Sequence, residues 1–85
     1  MSKPKPTQEQ LLILGDTLRR AREANGFTLE KLAELIDCSS RWLQKLETGK
    51  SNPHWLTLLQ LSGMLGIDVQ ALIQALGLGA SAFSW

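Results

Sequence analysis

Between Ser39 and Asn52 the chain concentrates groups that donate hydrogen bonds and positive charge: Ser39, Ser40, Arg41, Gln44, Lys45, Lys50, Ser51 and Asn52. A guanidinium offers a planar fork of N–H donors, a carboxamide sets a donor beside an acceptor, and an ammonium is a compact point charge. These are the means of recognition rather than of bond-breaking. The sequence has no Ser-His or Cys-His constellation, no glycine-rich phosphate loop, no ligand cluster and no pair of carboxylates at a spacing that suggests a catalytic cleft. Its one histidine, His54, and its one cysteine, Cys38, fall in different elements, and His54 has no second ligand in view. No enzyme, metal site, cofactor or small-molecule ligand is expected.

The positioning elements follow from the apolar residues interleaved with these groups. Leu43 and Leu46, three apart, turn inward on one helix capped by Ser39, which leaves Ser40, Arg41, Gln44 and Lys45 pointing away from the core. Gly49 closes that helix, and Lys50, Ser51, Asn52 and Pro53 follow as a turn. Upstream, Thr28 caps a shorter helix with apolar Leu29, Leu32, Ala33, Leu35 and Ile36, leaving Glu30, Lys31 and Glu34 for solvent. Residues 28–53 therefore read as a helix-turn-helix.

The rest of the chain frames that motif. Thr7 with Gln10 three residues on is a capping-box signature, and Leu11, Leu14, Leu18 and Ala21 repeat at helical spacing up to Asn25 and Gly26. After Pro53 a fourth helix runs from His54 to a stop at Gly66, with a core stripe of Leu58, Leu61, Met64 and Leu65 and packing for Trp55. Gly63 inside it suggests close approach to another helix. Asp68 caps a fifth helix with apolar Val69, Leu72, Ile73 and Leu76. Without period-two runs of β-branched and aromatic residues, the class is all-α: one compact bundle of about five short helices, the motif supplying helices two and three.

Residues 7–76 form the domain, residues 1–6, with Lys3 and Lys5, a flexible arm, and residues 77–85 an apolar tail with Phe83 and Trp85. That tail either folds back over the core or meets a second subunit, and the dimer is preferred. Lys and Arg number nine against eight Asp and Glu, so no strong basic field surrounds the whole chain. Residues 1–53 nevertheless hold all nine cations, and residues 54–85 hold a single charge, Asp68. Cys38 cannot form an internal disulfide and fits a small buried hydrophobe in a reducing compartment. No signal peptide or membrane-length apolar run is evident, which points to a cytoplasmic protein and no membrane partner.

Leu14, Leu18, Arg22, Gly26, Thr28, Leu32, Ala33, Ser39, Leu43, Glu47, Gly49, Pro53, Leu58, Leu61, Leu65, Gly66 and Ile67 stand at the spacings of the Cro/CI-type helix-turn-helix family, also called lambda-repressor-like or XRE-type. The chain resembles that family over about two thirds of its length. The resemblance implies that Arg22 pairs with Glu47 to tie helix one to the end of the second motif helix, a structural ion pair. It also places a small residue, Ala33, where the motif helices cross. Asp37 stands where the family usually has a left-handed glycine.

What the resemblance implies for function is sequence-specific binding of double-stranded DNA by a repressor-like transcriptional regulator of bacterial or phage type, as a homodimer on a palindromic operator. The recognition helix, residues 39–48, would enter the major groove, with Ser40, Arg41, Gln44 and Lys45 reading bases. Thr28, Ser39, Lys50, Ser51 and Asn52 would hold phosphates. Trp42 is open to two roles, packing over the edge of the motif or van der Waals contact with a thymine methyl or sugar, and is counted among the base-reading residues. Leu29 departs from the pattern: it replaces a glutamine whose amide commonly contacts phosphate, and a leucine cannot do that. With the small net charge, it leaves a second class of function, a helix-turn-helix used for protein–protein interaction without DNA.

Overall fold

Side-chain caps set the helix boundaries. In the computed structural model, which describes residues 6–77, the chain forms α1 (Gln8–Ala24), α2 (Leu29–Leu35), α3 (Ser40–Glu47), α4 (Trp55–Leu65) and α5 (Val69–Ala75), with no strand among the described residues. Thr7 and Gln10 close a reciprocal capping box on α1, each satisfying the other's amide, while Thr28, Ser39 and Asp68 cap α2, α3 and α5. His54 is the cap of α4, not its first helical residue: its Nδ1 accepts the Leu56 amide at 3.3 Å. The arm with Lys3 and Lys5 and the apolar tail with Phe83 and Trp85 lie outside the described residues. No single helix among those described is long and apolar enough to cross a membrane.

The core takes Leu14 and Leu18 from α1, Leu32, Ala33 and Ile36 from α2 and its cap, Leu43 and Leu46 from α3, Leu61 and Leu65 from α4, and Leu72 from α5. Ala33 is buried in the crossing of the motif helices, as the family pattern implies, and Leu29 packs against the core at its edge. Leu35 does not join them; it is 41% exposed. On α4 the expected stripe holds at Leu58, Leu61 and Leu65 but not at Met64. Ser62 is buried whereas Met64 is 37% exposed, because the buried side follows Leu58, Leu61, Ser62 and Leu65 at helical spacing and Met64 falls beyond its edge.

α3 is held against α1 by two devices at its C-terminal end. The first is contact of backbone with backbone: a Cβ added to Gly15 would stand 2.5 Å from the carbonyl oxygens of both Leu46 and Glu47. Only glycine allows α1 to lie so close. The second is the ion pair. Arg22 Nε donates to Glu47 Oε2 at 2.7 Å and Nη2 to Oε1 at 3.1 Å, while Nη1 donates to the Phe27 carbonyl at 2.8 Å. The side chains are only 11% and 4% exposed, so this bidentate pair works in a medium that screens it poorly. The hydrogen bond to Glu47 raises the Arg22 pKa above its ordinary value, against the opposing effect of burial.

Three carboxamides add ties between elements. Gln8 donates to the Gly49 carbonyl beyond α3 at 3.1 Å, Gln10 to Leu76 at the end of α5 at 2.9 Å, and Asn25 to Leu65 at the end of α4 at 3.0 Å. Each meets a carbonyl in the last turn of a helix or just beyond it, where α-helices leave acceptors unsatisfied.

Three substitutions test this frame by denaturant titration. Gly15→Ala should cost about 2 kcal/mol or more, since the new methyl meets rigid backbone on both sides of its path. Glu47→Gln should cost about 2 kcal/mol by removing the anion that compensates a nearly buried guanidinium. Ser62→Ala should stabilise by about 1 kcal/mol, because the Ser62 hydroxyl is buried with no hydrogen-bond partner among the described residues.

Candidate nucleic-acid interface

The turn between the motif helices sets the angle at which α3 is presented. α2 ends with the Asp37 amide donating to Glu34 at 3.3 Å and the Cys38 amide to Ala33 at 2.9 Å, a Schellman closure. This closure needs a left-handed residue, and Asp37 takes that conformation with φ 57°. Cys38 follows, half-buried against the core, and burial, with the neighbouring Asp37 charge, pushes its thiol pKa upward. Its place against the core suits a small packing residue.

α3 begins at Ser39, whose Oγ accepts the Trp42 amide at 3.0 Å, just as Thr28 Oγ1 accepts the Lys31 amide at the start of α2. Each hydroxyl is thus fixed as a cap while its own proton has no acceptor among the described residues. α3 ends in a second Schellman closure, with the Gly49 amide on Leu46 at 3.2 Å and the Lys50 amide on Lys45 at 2.8 Å. Gly49 has φ 76° and lies under Leu12 of α1, so neither its conformation nor its surroundings favour a side chain. The closure turns Lys50 back toward the outer face of the helix that it follows.

On that outer face Arg41, Gln44, Lys45, Thr48 and Lys50 line a shallow cleft of about 230 Å³. Arg41, Gln44 and Thr48 recur at helical spacing, and Lys45 and Lys50 widen the surface. Three cations therefore meet with no carboxylate in the lining. None of the three forms an ion pair among the described residues, in contrast to α1, where Arg19 and Arg20 both bind Asp16, Arg19 also binds Glu23, and Arg22 binds Glu47. The hydrogen bond to Asp16, reinforced by the charge of Glu23, raises the Arg19 pKa as well. Electrostatically, the α1 arginines are spoken for and those of the α3 face are not.

The structure brings together Arg41, Gln44, Lys45 and Lys50 among the residues singled out from sequence. Thr28, Ser39, Ser40, Trp42, Ser51 and Asn52 do not line the cleft. Ser40 is half-buried, and Trp42 is partly buried against the edge of the core. Thr48 was missed. Its hydroxyl donates back to Gln44 at 2.9 Å and Lys45 at 3.2 Å, which turns its oxygen into part of the cleft wall. Its position four after Gln44 and seven after Arg41 was the available signal. Trp55, expected to pack, is 39% exposed. Among the described residues no group of three His, Cys, Asp or Glu side chains is placed to hold a metal ion.

Comparison with known proteins assigns this architecture to a family. Residues 13–81 match the model of a helix-turn-helix domain. The chain is 27% identical over 62 residues to the SPbeta prophage-derived uncharacterized HTH-type transcriptional regulator YonR of Bacillus subtilis (strain 168), a match covering 73% of this chain and 57% of that protein. It is 32% identical over 56 residues to the uncharacterized HTH-type transcriptional regulator y4dJ of Sinorhizobium fredii, covering 66% of this chain and 73% of that one. The chain thus spans little more than half the length of the Bacillus relative and about three quarters of the other. With the paired α2 and α3, the buried Ala33 at their crossing and the Arg22–Glu47 pair in place, the chain belongs to the XRE/Cro-like helix-turn-helix family.

Proposed function

We propose that this protein is a cytoplasmic, sequence-specific DNA-binding transcriptional regulator, repressor-like, in which residues 7–76 form the binding domain and α3 enters the major groove of an operator. The observation that carries this proposal is the α3 face itself: Arg41, Lys45 and Lys50 around one cleft, unpaired among the described residues, with Gln44 and Thr48 between them. A duplex offers phosphates along both walls of the groove and base edges on its floor. The cations meet the first and the fork of Arg41 suits the second, since guanine presents two acceptors side by side. Gln44 would read adenine in the same way, and Lys45 and Ser40 would contact bases at either side.

Lys50, Ser51 and Asn52 would hold the backbone and set the register, along with the cap hydroxyls of Thr28 and Ser39, whose protons are free to meet a phosphate. Leu29 takes no part in this, being turned to the core. The exposed edge of Trp42 would contact a sugar or thymine methyl. A protein of this kind binds two half-sites about one helical turn apart when it dimerises, so a palindromic operator and a homodimer complete the proposal.

Selection of bound duplexes from a random pool, followed by anisotropy titrations against the selected sequence, tests it. Affinity should fall steeply as salt rises. Arg41→Ala should lose about 1 to 3 kcal/mol of discrimination at one position. Lys50→Ala should weaken every duplex alike and lower the salt slope by about one. A chain that binds no duplex at low salt would overturn the proposal and leave the helix-turn-helix as a protein-interaction module.

A further inference from the structure

The hydroxyl of Thr48 is already committed as a donor. Its Oγ1 lies 2.9 Å from the Gln44 carbonyl oxygen and 3.2 Å from that of Lys45. A carbonyl only accepts, so the proton of this group points back into the last turn of α3. Thr48 is nevertheless exposed, and it lines the cleft with Arg41, Gln44, Lys45 and Lys50. What it offers outward is an oxygen without a proton to give, beside a methyl group. Its neighbours are of another kind: Arg41, Lys45 and Lys50 donate only, and Gln44 does both. Thr48 is thus the lining side chain that can only accept.

We propose that Thr48 is a specificity-determining residue of the DNA interface, accepting a hydrogen bond from the exocyclic amino group of a cytosine or an adenine. Elimination carries the inference. Phosphate and deoxyribose oxygens within a duplex are acceptors, so a group that only accepts has no hydrogen bond to make with the backbone. On the major-groove side guanine shows N7 and O6 and thymine shows O4, all acceptors, whereas cytosine N4 and adenine N6 each present N–H. Thr48 therefore discriminates both by the donor it needs and by the acceptors it repels. Its place on α3 fits this role. At 100° per residue Thr48 falls within about 20° of Arg41 around the helix and, seven residues on, about 10 Å along the axis. That length is roughly three base pairs at about 3.4 Å each. The two residues thus address separate base pairs on one line, Arg41 a pair of acceptors and Thr48 a donor. The inference rests on the reading of α3 as the groove-entering helix, and adds the class of base that its C-terminal end selects.

Selection of duplexes from a random pool tests it, run on the unaltered chain, Thr48→Val and Thr48→Ser after the helical circular dichroism of each has been compared. The unaltered chain should prefer cytosine or adenine at a position about three base pairs from the one that Arg41→Ala relaxes. Thr48→Val keeps the shape and removes the acceptor, and should reduce that preference about fivefold with the rest of the profile intact. Thr48→Ser keeps a hydroxyl that bonds back to the same carbonyls and should preserve it. Replacing the selected base by an analogue without its amino group should cost the unaltered chain the same factor and the Thr48→Val variant nothing. That comparison needs only the unaltered chain for its first half, so a variant that failed to fold would not spare the proposal. A profile that Thr48→Val leaves unchanged overturns it, as does equal weakening on every duplex, the mark of a phosphate contact, or guanine or thymine at the affected position. In each of those cases duplex binding persists, and the reading of α3 as a DNA-binding helix stands. A chain that binds no duplex at all overturns both.

Discussion

The junction between the middle of α1 and the end of α3 governs how the molecule presents its outer face. Gly15 lets the Leu46 and Glu47 carbonyls come within van der Waals distance of the α1 backbone, and the Arg22–Glu47 pair closes the same junction a short way along. Close packing and an ion pair have complementary strengths here. Packing sets the distance but is indifferent to rotation about the contact, whereas a bidentate fork is directional and fixes that rotation. Because Glu47 is the last residue of α3, the pair holds the helix at its far end and leaves the first turn, with Ser40 and Arg41, to project. Arg22 also grips the Phe27 carbonyl, so the same guanidinium links α1, the loop into α2 and the end of α3. Just beyond the same end of α3, Gln8 at the start of α1 donates to the Gly49 carbonyl, which steadies the turn that carries Lys50.

The electrostatic consequence is that net charge is a poor guide to this surface. A formal charge of +1 describes nine cations and eight anions, but the two sets are not mixed evenly. On α1, Asp16, Glu23 and the incoming Glu47 neutralise three arginines. On α3 the only acid is Glu47, and it is turned inward and consumed by Arg22. The outer face of α3 is left with uncompensated Arg41 and Lys45, joined by Lys50 from the closing turn. Field strength near a surface depends on such local imbalance, since charges beyond about 8 to 10 Å are screened at physiological salt.

Much of this was legible in sequence because it is local. Caps are written in one or two residues, and Thr7 with Gln10, Thr28, Ser39 and Asp68 each start the helix that their side chains announce. Asp37, left-handed as the glycine that the family has at its position, is legible only through the resemblance, and aspartate is among the few residues that tolerate the conformation. The Arg22–Glu47 pair is not local, and it was reached through resemblance to a family rather than from spacing. What remained hidden depends on tertiary placement. The carboxamides of Gln8, Gln10 and Asn25 look like ordinary surface residues until the helix ends that they serve are brought beside them. On α4 the apolar residues are so numerous that periodicity cannot choose a face. Met64, three after Leu61, fits the helical spacing of the core stripe as well as any residue, yet the helix turns Ser62 inward and leaves Met64 at the border.

The same excess of apolar residues on α4 distinguishes two kinds of glycine that a sequence writes identically. A helix that served only an intramolecular core would need one apolar side, and α4 has that in Leu58, Leu61 and Leu65. Leu56 and Leu59 lie outside that requirement, and leaving them in water forgoes roughly 25 cal/mol for each Å² that could be covered. Their presence beside an uncrowded Gly63 means that, among the described residues, α4 carries two apolar surfaces, one buried in the core and the other exposed. α3, by comparison, is apolar on its buried side and polar on the other. The charge distribution along the chain, dense up to Lys50 and nearly absent after it, marks the same contrast between α3 and α4 in the sequence.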